Sequence, residues 1–254
     1  MNAFDSRILI WLNGYATASA RFDHLVAWVS LQHLVKGAVV AAVLCGLWFA
    51  RRTQPERALL RERLLATLAA GLVAEIVART LALSLPFRTR PLHNPQFPFT
   101  PTIGLESGFL DSWSAFPSDH AVLFFALATG ALYASRRVGA WMLVYVAVVI
   151  CLPRIYLGLH HPTDILAGAA IGIGTAALLQ QPALRVPLAR PLLAWEQRSP
   201  GSFYAFGLLL HAAVRRAFRG RAQPAGTGKP GGRLSPGPPS ARGRPDRILR
   251  WQRI

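Results

Sequence analysis

Five apolar runs follow one another along this chain: Val35–Ala50, Leu64–Leu85, Ala121–Ser135, Val138–Leu152 and Ile165–Leu179. A bilayer core needs about 20 mostly apolar residues per helix, within a range of roughly 17–25. Runs of 15 to 22 residues reach that length by extending into their polar flanks, so the series predicts a bundle of spanning helices. Gly168, Gly172 and Gly174 in the last run offer close helix packing. The N-terminus has only two short apolar stretches, Ile8–Leu12 and Leu25–Leu31. Ile8–Leu12 is too short for a signal-peptide core and Asp5 precedes it, so residues 6–32 read as an interfacial helix plus the start of a first span.

Charge is sparse and segregated. The 254 residues are 52% hydrophobic and 15% charged, yet they hold 28 Lys+Arg against 11 Asp+Glu, a formal net charge of +17. With a mean hydropathy of +0.33, this excludes a wholly disordered chain and an ordinary soluble domain. Residues 1–181 carry 14 Lys/Arg and 9 Asp/Glu, whereas residues 182–254 carry 14 and 2. Half of the 26 residues of Gly220–Pro245 are Gly or Pro, a composition that predicts disorder. Trp251 is that tail's single stacking aromatic, so the tail reads as a membrane-surface anchor rather than a nucleic-acid arm. Arg51, Arg52, Arg57, Arg61 and Arg63, then Arg136 and Arg137, then the tail fall on one side of the bundle. The positive-inside rule makes that side cytoplasmic, so the loop Pro86–Pro117 and the junction Arg154–Asp164 face outward. Cys45 and Cys151, both in apolar runs, read as buried inert thiols.

Three polar clusters sit at the outward ends of spans, where charge is costly and usually functional. They are Arg79 with Arg88-Thr89-Arg90-Pro91, then Pro117-Ser118-Asp119-His120, then Arg154, His160 and Asp164. With a helix starting near Pro162, Asp164 sits beside the His160 ring and fixes its tautomer, which makes His160 a nucleophile or base. His120 opens the next apolar run and serves as a general acid. Arg88, Arg90 and Arg154 match phosphate oxygens as planar donors, and the amides after Ser118 add anion affinity. Two histidines, several arginines and no metal-ligand cluster point to phosphoryl transfer through a phosphohistidine.

The order Arg90-Pro91, Pro117-Ser118-x-His120 and Arg154-x5-His160-x3-Asp164 resembles the three-part signature of the phosphatidic acid phosphatase type 2 superfamily over about residues 60–180. The first motif departs from the family pattern: Leu83 stands where a Lys precedes the Arg, with Arg79 and Arg88 as candidate replacements. Pro153 stands where Ser usually precedes Arg154. The resemblance implies His160 as nucleophile, Asp164 as its orienter and His120 as the acid. It assigns Arg90, Arg154 and the Ser118–Asp119 amide region to the phosphate cradle, with no metal or cofactor.

The expected fold is all-α: a polytopic membrane bundle of five to six transmembrane helices plus a disordered basic C-terminal tail. Its parts are an N-terminal segment 1–33, a catalytic membrane domain 34–181, a juxtamembrane amphipathic segment 182–219 and a tail 220–254. The expected function is a metal-independent lipid phosphatase of a bacterial inner membrane, with its site outward and its tail cytoplasmic. Its expected partners are a lipid phosphate substrate and membrane lipids, with no nucleic acid. Ser114–His120, with Asp119 where many relatives have Gly, looks like undecaprenyl-diphosphate phosphatases. Phosphatidic acid and phosphatidylglycerol phosphate are the alternative substrates, and a non-catalytic lipid-binding protein is the alternative class. A vanadium haloperoxidase shares the motifs but is generally soluble.

Overall fold

A computed structural model describes residues 2–32, 34–95, 97–102, 113–205, 208–209 and 212. The chain divides into two units, Met1–Tyr204 and Ala205–Ile254, and all the helices of the bundle lie in the first. The expected juxtamembrane segment 182–219 falls partly outside the described residues, and the basic tail 220–254 wholly so.

No strand occurs among the described residues, and the bundle is built of α1 Ala3–Asn13, α2 Ala20–Leu31, α3 Leu34–Trp48, α4 Gln54–Ser84, α5 Asp119–Ala134, α6 Arg136–Tyr156, α7 Pro162–Leu179 and α8 Pro182–Arg198, with a short 3-10 helix at Pro91–His93 and further helical residues at 200–205. Prolines set several starts. Pro55, Pro162 and Pro182 stand in the first turns of α4, α7 and α8, where an N–H has no intrahelical partner anyway. In α6 the turn Val146–Cys151 widens to π geometry just before Pro153. A proline ring crowds the carbonyl four residues back, and a widened turn relieves that crowding.

By length and composition α4, α6 and α7 can cross a membrane, and the α2–α3 pair, bent by 61° at its break, is a fourth candidate, as a broken span or a re-entrant loop. The expected run Ala121–Ser135 folds as the 16-residue apolar helix α5, and residues 6–32 fold within the short helices α1 and α2. The chain is a polytopic, all-α membrane bundle.

Short α5 lies at the centre, packed against α4, α6 and α7. Close approach is made by small residues. On α4, Ala66, Ala70, Ala74 and Ala78 recur every four residues and are all fully buried, whereas Leu68, Leu72 and Ile76 are exposed. Small side chains inside and large ones outside is the pattern of helices that pack in lipid. On α7 the contact with α5 requires glycine. A Cβ at Gly168 would lie 2.8 Å from Ala121 Cβ and 2.9 Å from the Ser118 carbonyl oxygen. One at Gly172 would strike the Val122 carbonyl oxygen. Gly174, expected to share this role, meets nothing within 4 Å. Cys151 is buried as expected, but Cys45 is exposed on α3.

At its other end α4 runs beyond the apolar region. Arg61 there pairs with Glu196 at 2.6 Å and Glu62 with Arg185 at 2.7 Å, which seats α8 against the bundle. Replacing Gly172 by Val should destabilise the bundle by about 1–3 kcal/mol through overpacking, while Gly174→Ala should be neutral. Thermal melting of detergent-solubilised protein checks both, and equal shifts would refute the contact.

Candidate active site

Three chain segments converge at one end of α5: the stretch after α4, the N-terminus of α5, and the turn between α6 and α7. That turn is tight. Gly158 has φ +68, a left-handed conformation that favours glycine, and a Cβ there would lie 2.6 Å from the Phe99 ring. The Arg154 carbonyl accepts from the Leu159 amide at 2.9 Å. The Gly158 carbonyl accepts from the Leu92 amide at 3.0 Å, tying in the turn that follows Arg90-Pro91. Leu157 and Leu159 are fully buried, and they carry His160 and His161 inward with them.

His160 is 4% exposed. Its Nδ1 faces the Ala115 carbonyl oxygen at 2.9 Å. A carbonyl only accepts, so Nδ1 carries the proton and Nε2 presents its lone pair. Arg90, also buried, lies 3.4 Å from that Nε2 and donates to the Leu159 carbonyl at 2.5 Å. Burial, then the cations of Arg154 and Arg90, push the His160 pKa well below 6.5, against the Ala115 hydrogen bond. The ring is therefore neutral and nucleophilic at neutral pH.

Asp164 does not hold the His160 ring. Its Oδ2 stands 3.9 Å from His160 Nδ1, and the Ala115 carbonyl has the place expected for it. Sitting three residues after the N-cap of α7, its carboxylate accepts from the His161 amide at 2.7 Å and lies 3.1 Å from His161 Nδ1. Its other oxygen receives Arg88 at 2.5 Å.

Arg88 is correspondingly committed elsewhere than to a phosphate. It also donates to Asp5 at 2.8 Å and to Thr163 Oγ1 at 3.0 Å. Asp5, fully buried on α1, accepts from the Thr163 amide at 2.9 Å and its hydroxyl at 2.7 Å. Arg79, the other candidate for the missing lysine, donates to Asp119 at 2.7 Å and lies 4.7 Å from the Trp113 ring centre.

The remaining residues form a cationic group around His120. Its Nε2 lies 2.7 Å from an Arg154 nitrogen and 3.4 Å from Lys36 Nζ. Arginine and lysine only donate, so Nε2 accepts here. Arg154 is 5% exposed and Lys36 3%. Neither forms an ion pair among the described residues, and the Nε of Arg154 and the Oγ of Ser118 are buried without partners. A buried unpaired cation costs several kcal/mol, so this group is built to receive an anion. Lys36, Asp5, His161 and the Ala115 carbonyl escaped the sequence reading. For Lys36 the sequence carries a signal, a lysine inside the apolar run Val35–Ala50, but not the identity of what it meets.

Among known families, residues 59–183, just under half of the chain, match the model described as the PAP2 superfamily. The bacitracin transport permease protein BcrC of Bacillus licheniformis is 35% identical over 63 residues, 25% of this chain and 30% of that one. The undecaprenyl-diphosphatase BcrC of Bacillus subtilis is 33% identical over 60 residues, 24% of this chain and 31% of that one. The match thus spans about a third of the length of these relatives. The crystal structure of a transmembrane PAP2-type phosphatidylglycerolphosphate phosphatase from Bacillus subtilis covers 65% of this chain and 94% of its own. Its identity is 18% and its TM-score 0.33, too low for it to locate any residue here.

Two outcomes follow from the geometry. Arg88→Met should leave two buried carboxylates unpaired and lower stability by about 3 kcal/mol, read as a lower melting temperature. An unchanged melting temperature with a raised KM would return Arg88 to substrate contact. For His160 the folded pKa lies below 6.5. Its contribution to stability is therefore full above that pH and is lost as pH falls below it. The acid limb of kcat/KM should lie below pH 6.5, and a limb at 6.5 would contradict the buried, cation-flanked ring.

Proposed function

We propose, from the match of residues 59–183 to the PAP2 superfamily model, that this protein is an integral membrane lipid phosphatase and that its substrate is a lipid diphosphate of the undecaprenyl kind. The carrying observation is the buried Arg154, unpaired among the described residues, set between a neutral histidine and a second histidine. That arrangement supports phosphoryl transfer without further parts. His160 Nε2 attacks phosphorus and the P–O bond to the lipid breaks. Once the bound substrate displaces Arg154 and Lys36 from His120 Nε2, that nitrogen takes up a proton from water and gives it to the departing oxygen, and the lipid product leaves. Water then attacks the phosphohistidine while His120 takes its proton, releasing inorganic phosphate. Arg90, Arg154, Ser118 and the first amides of α5 hold the equatorial oxygens, where charge accumulates in the transition state. Asp164 acts at one remove, by fixing the start of α7 and with it the His160–His161 turn.

A lipid substrate also suits the surroundings. An open apolar groove of about 710 Å³ is lined by Trp11, Tyr15, Phe22, Val148, Leu152 and Tyr156 among others, and by Pro153, which precedes Arg154 in the chain. The relative named undecaprenyl-diphosphatase favours a diphosphate headgroup. The segregation of arginines favours an outward site and a cytoplasmic tail, with the catalytic domain within 34–181 and the juxtamembrane segment at 182–219.

Purified protein should release phosphate from undecaprenyl diphosphate faster than from phosphatidic acid or phosphatidylglycerol phosphate. Release should persist in EDTA and be blocked by vanadate. His160→Ala should lower kcat by at least about 10⁴-fold, as loss of a nucleophile does elsewhere, with melting unchanged. Release at the wild-type rate would remove His160 from the mechanism.

A further inference from the structure

Lys36 has no place in any of the three motifs, and the phosphoryl transfer above does not use it. Its position is nonetheless expensive: it is 3% exposed, one turn into α3, within an apolar run. One of its three N–H donors goes to the Ser30 carbonyl at 2.5 Å, across the α2–α3 break. The ammonium then lies 3.4 Å from His120 Nε2, and among the described residues no carboxylate pairs with it. Leu83, which occupies the family's lysine position in the first motif, is 84% exposed and supplies no charge.

The side of the site on which Lys36 stands is informative. In an in-line displacement the entering and leaving groups lie on opposite sides of phosphorus. His160, with Arg90 at 3.4 Å, marks the entering side. His120 marks the leaving side, and Lys36 belongs to it. On that side the two candidate substrate classes differ. A phosphate monoester releases an alcohol, neutral once protonated. A diphosphate releases a lipid monophosphate, still anionic after it takes a proton. A fixed ammonium beside the acid does little for the first and stabilises the second.

We propose that Lys36 contacts the departing phosphate and thereby makes the site selective for lipid diphosphates over lipid monophosphates. This rests on the phosphatase reading above. His160 Nε2 forms its bond to the terminal phosphorus and the bond from that phosphorus to the bridging oxygen breaks. The electron pair stays on that oxygen, now part of the lipid monophosphate. His120 supplies one proton, and Lys36 holds the remaining negative charge. The incoming diphosphate draws Lys36 and Arg154 away from His120 Nε2, leaving that nitrogen open to carry the proton.

The test compares full-length wild type, Lys36→Met and Lys36→Arg in one detergent, on undecaprenyl diphosphate and on phosphatidic acid. The Lys36→Met variant should lower the diphosphate-to-monophosphate ratio of kcat/KM by about 10- to 100-fold, the worth of one hydrogen bond to a charged group. Lys36→Arg should restore most of that ratio. A role confined to bracing the α2–α3 break would lower both activities alike, so an unchanged ratio overturns the proposal. If Lys36→Met does not fold, Lys36→Gln keeps a donor for the Ser30 carbonyl and carries the same comparison. Calorimetry supplies a readout without turnover: the variant should lose more affinity for methylenediphosphonate than for orthophosphate, and equal losses count against Lys36. Wild-type release from phosphatidic acid but not from the diphosphate would refute Lys36's role and leave the phosphatase standing. No release from any lipid phosphate would refute the phosphatase, and Lys36's role with it.

Discussion

The approach of α7 to α5 is the constraint on which the rest depends. Gly168 lets the two backbones come within reach, since a Cβ there would lie 2.9 Å from the Ser118 carbonyl oxygen. One turn away, the Ser118 amide donates to the Asp164 carbonyl at 3.3 Å. The glycine contact therefore does two things. It closes the centre of the bundle, and it sets the N-terminus of α5 beside the N-terminus of α7. His120 and His160 reach a common site because each sits within a few residues of one of those two ends.

Around that site the charges are sorted. The carboxylates are spent on structure: Asp164 on His161 and Arg88, Asp5 on Arg88 and Thr163, and Asp119 on Arg79. Arg154 and Lys36 are buried with no carboxylate neutralising them among the described residues. Were Arg88 and Arg79 free, they would compete for the same anion. Their pairing confines the attraction to the space beside the two histidines. Low local polarity then makes each remaining donor count for more than it would in water.

The sequence was most legible where chemistry is local. Arg90-Pro91, Ser118 to His120 and Arg154 to His160 are short patterns, and the structure gathers them. Asp164 shows the limit of spacing arguments. Four residues from His160 reads as adjacency, but a residue at the third position of a helix turns its carboxylate back to cap that helix, and the ring took a carbonyl 45 residues away instead. Gly174 is a similar case: two residues beyond Gly172 it is rotated by about 200° on the helix and faces outward. The roles of Asp5 and Lys36 were hidden for another reason. Their partners lie 158 and 84 residues along the chain, and an isolated charge near an apolar run does not say what it will meet. The length of α5 was less legible: the apolar run Ala121–Ser135 folds as a 16-residue helix packed against α4, α6 and α7.

The Asp5–Thr163 bond also bears on how the molecule is made. Asp5 precedes its partner Thr163 by 158 residues, and that partner lies past α6, at the start of α7. Through the insertion of α1 to α6 the aspartate has no Thr163 to bind. Only when the turn carrying His160 and the first residues of α7 arrive can the N-terminal helix lock onto them. The contact that fixes the His160 turn therefore forms only after α6 is in place, and the two histidines can share a site only once the final candidate span arrives.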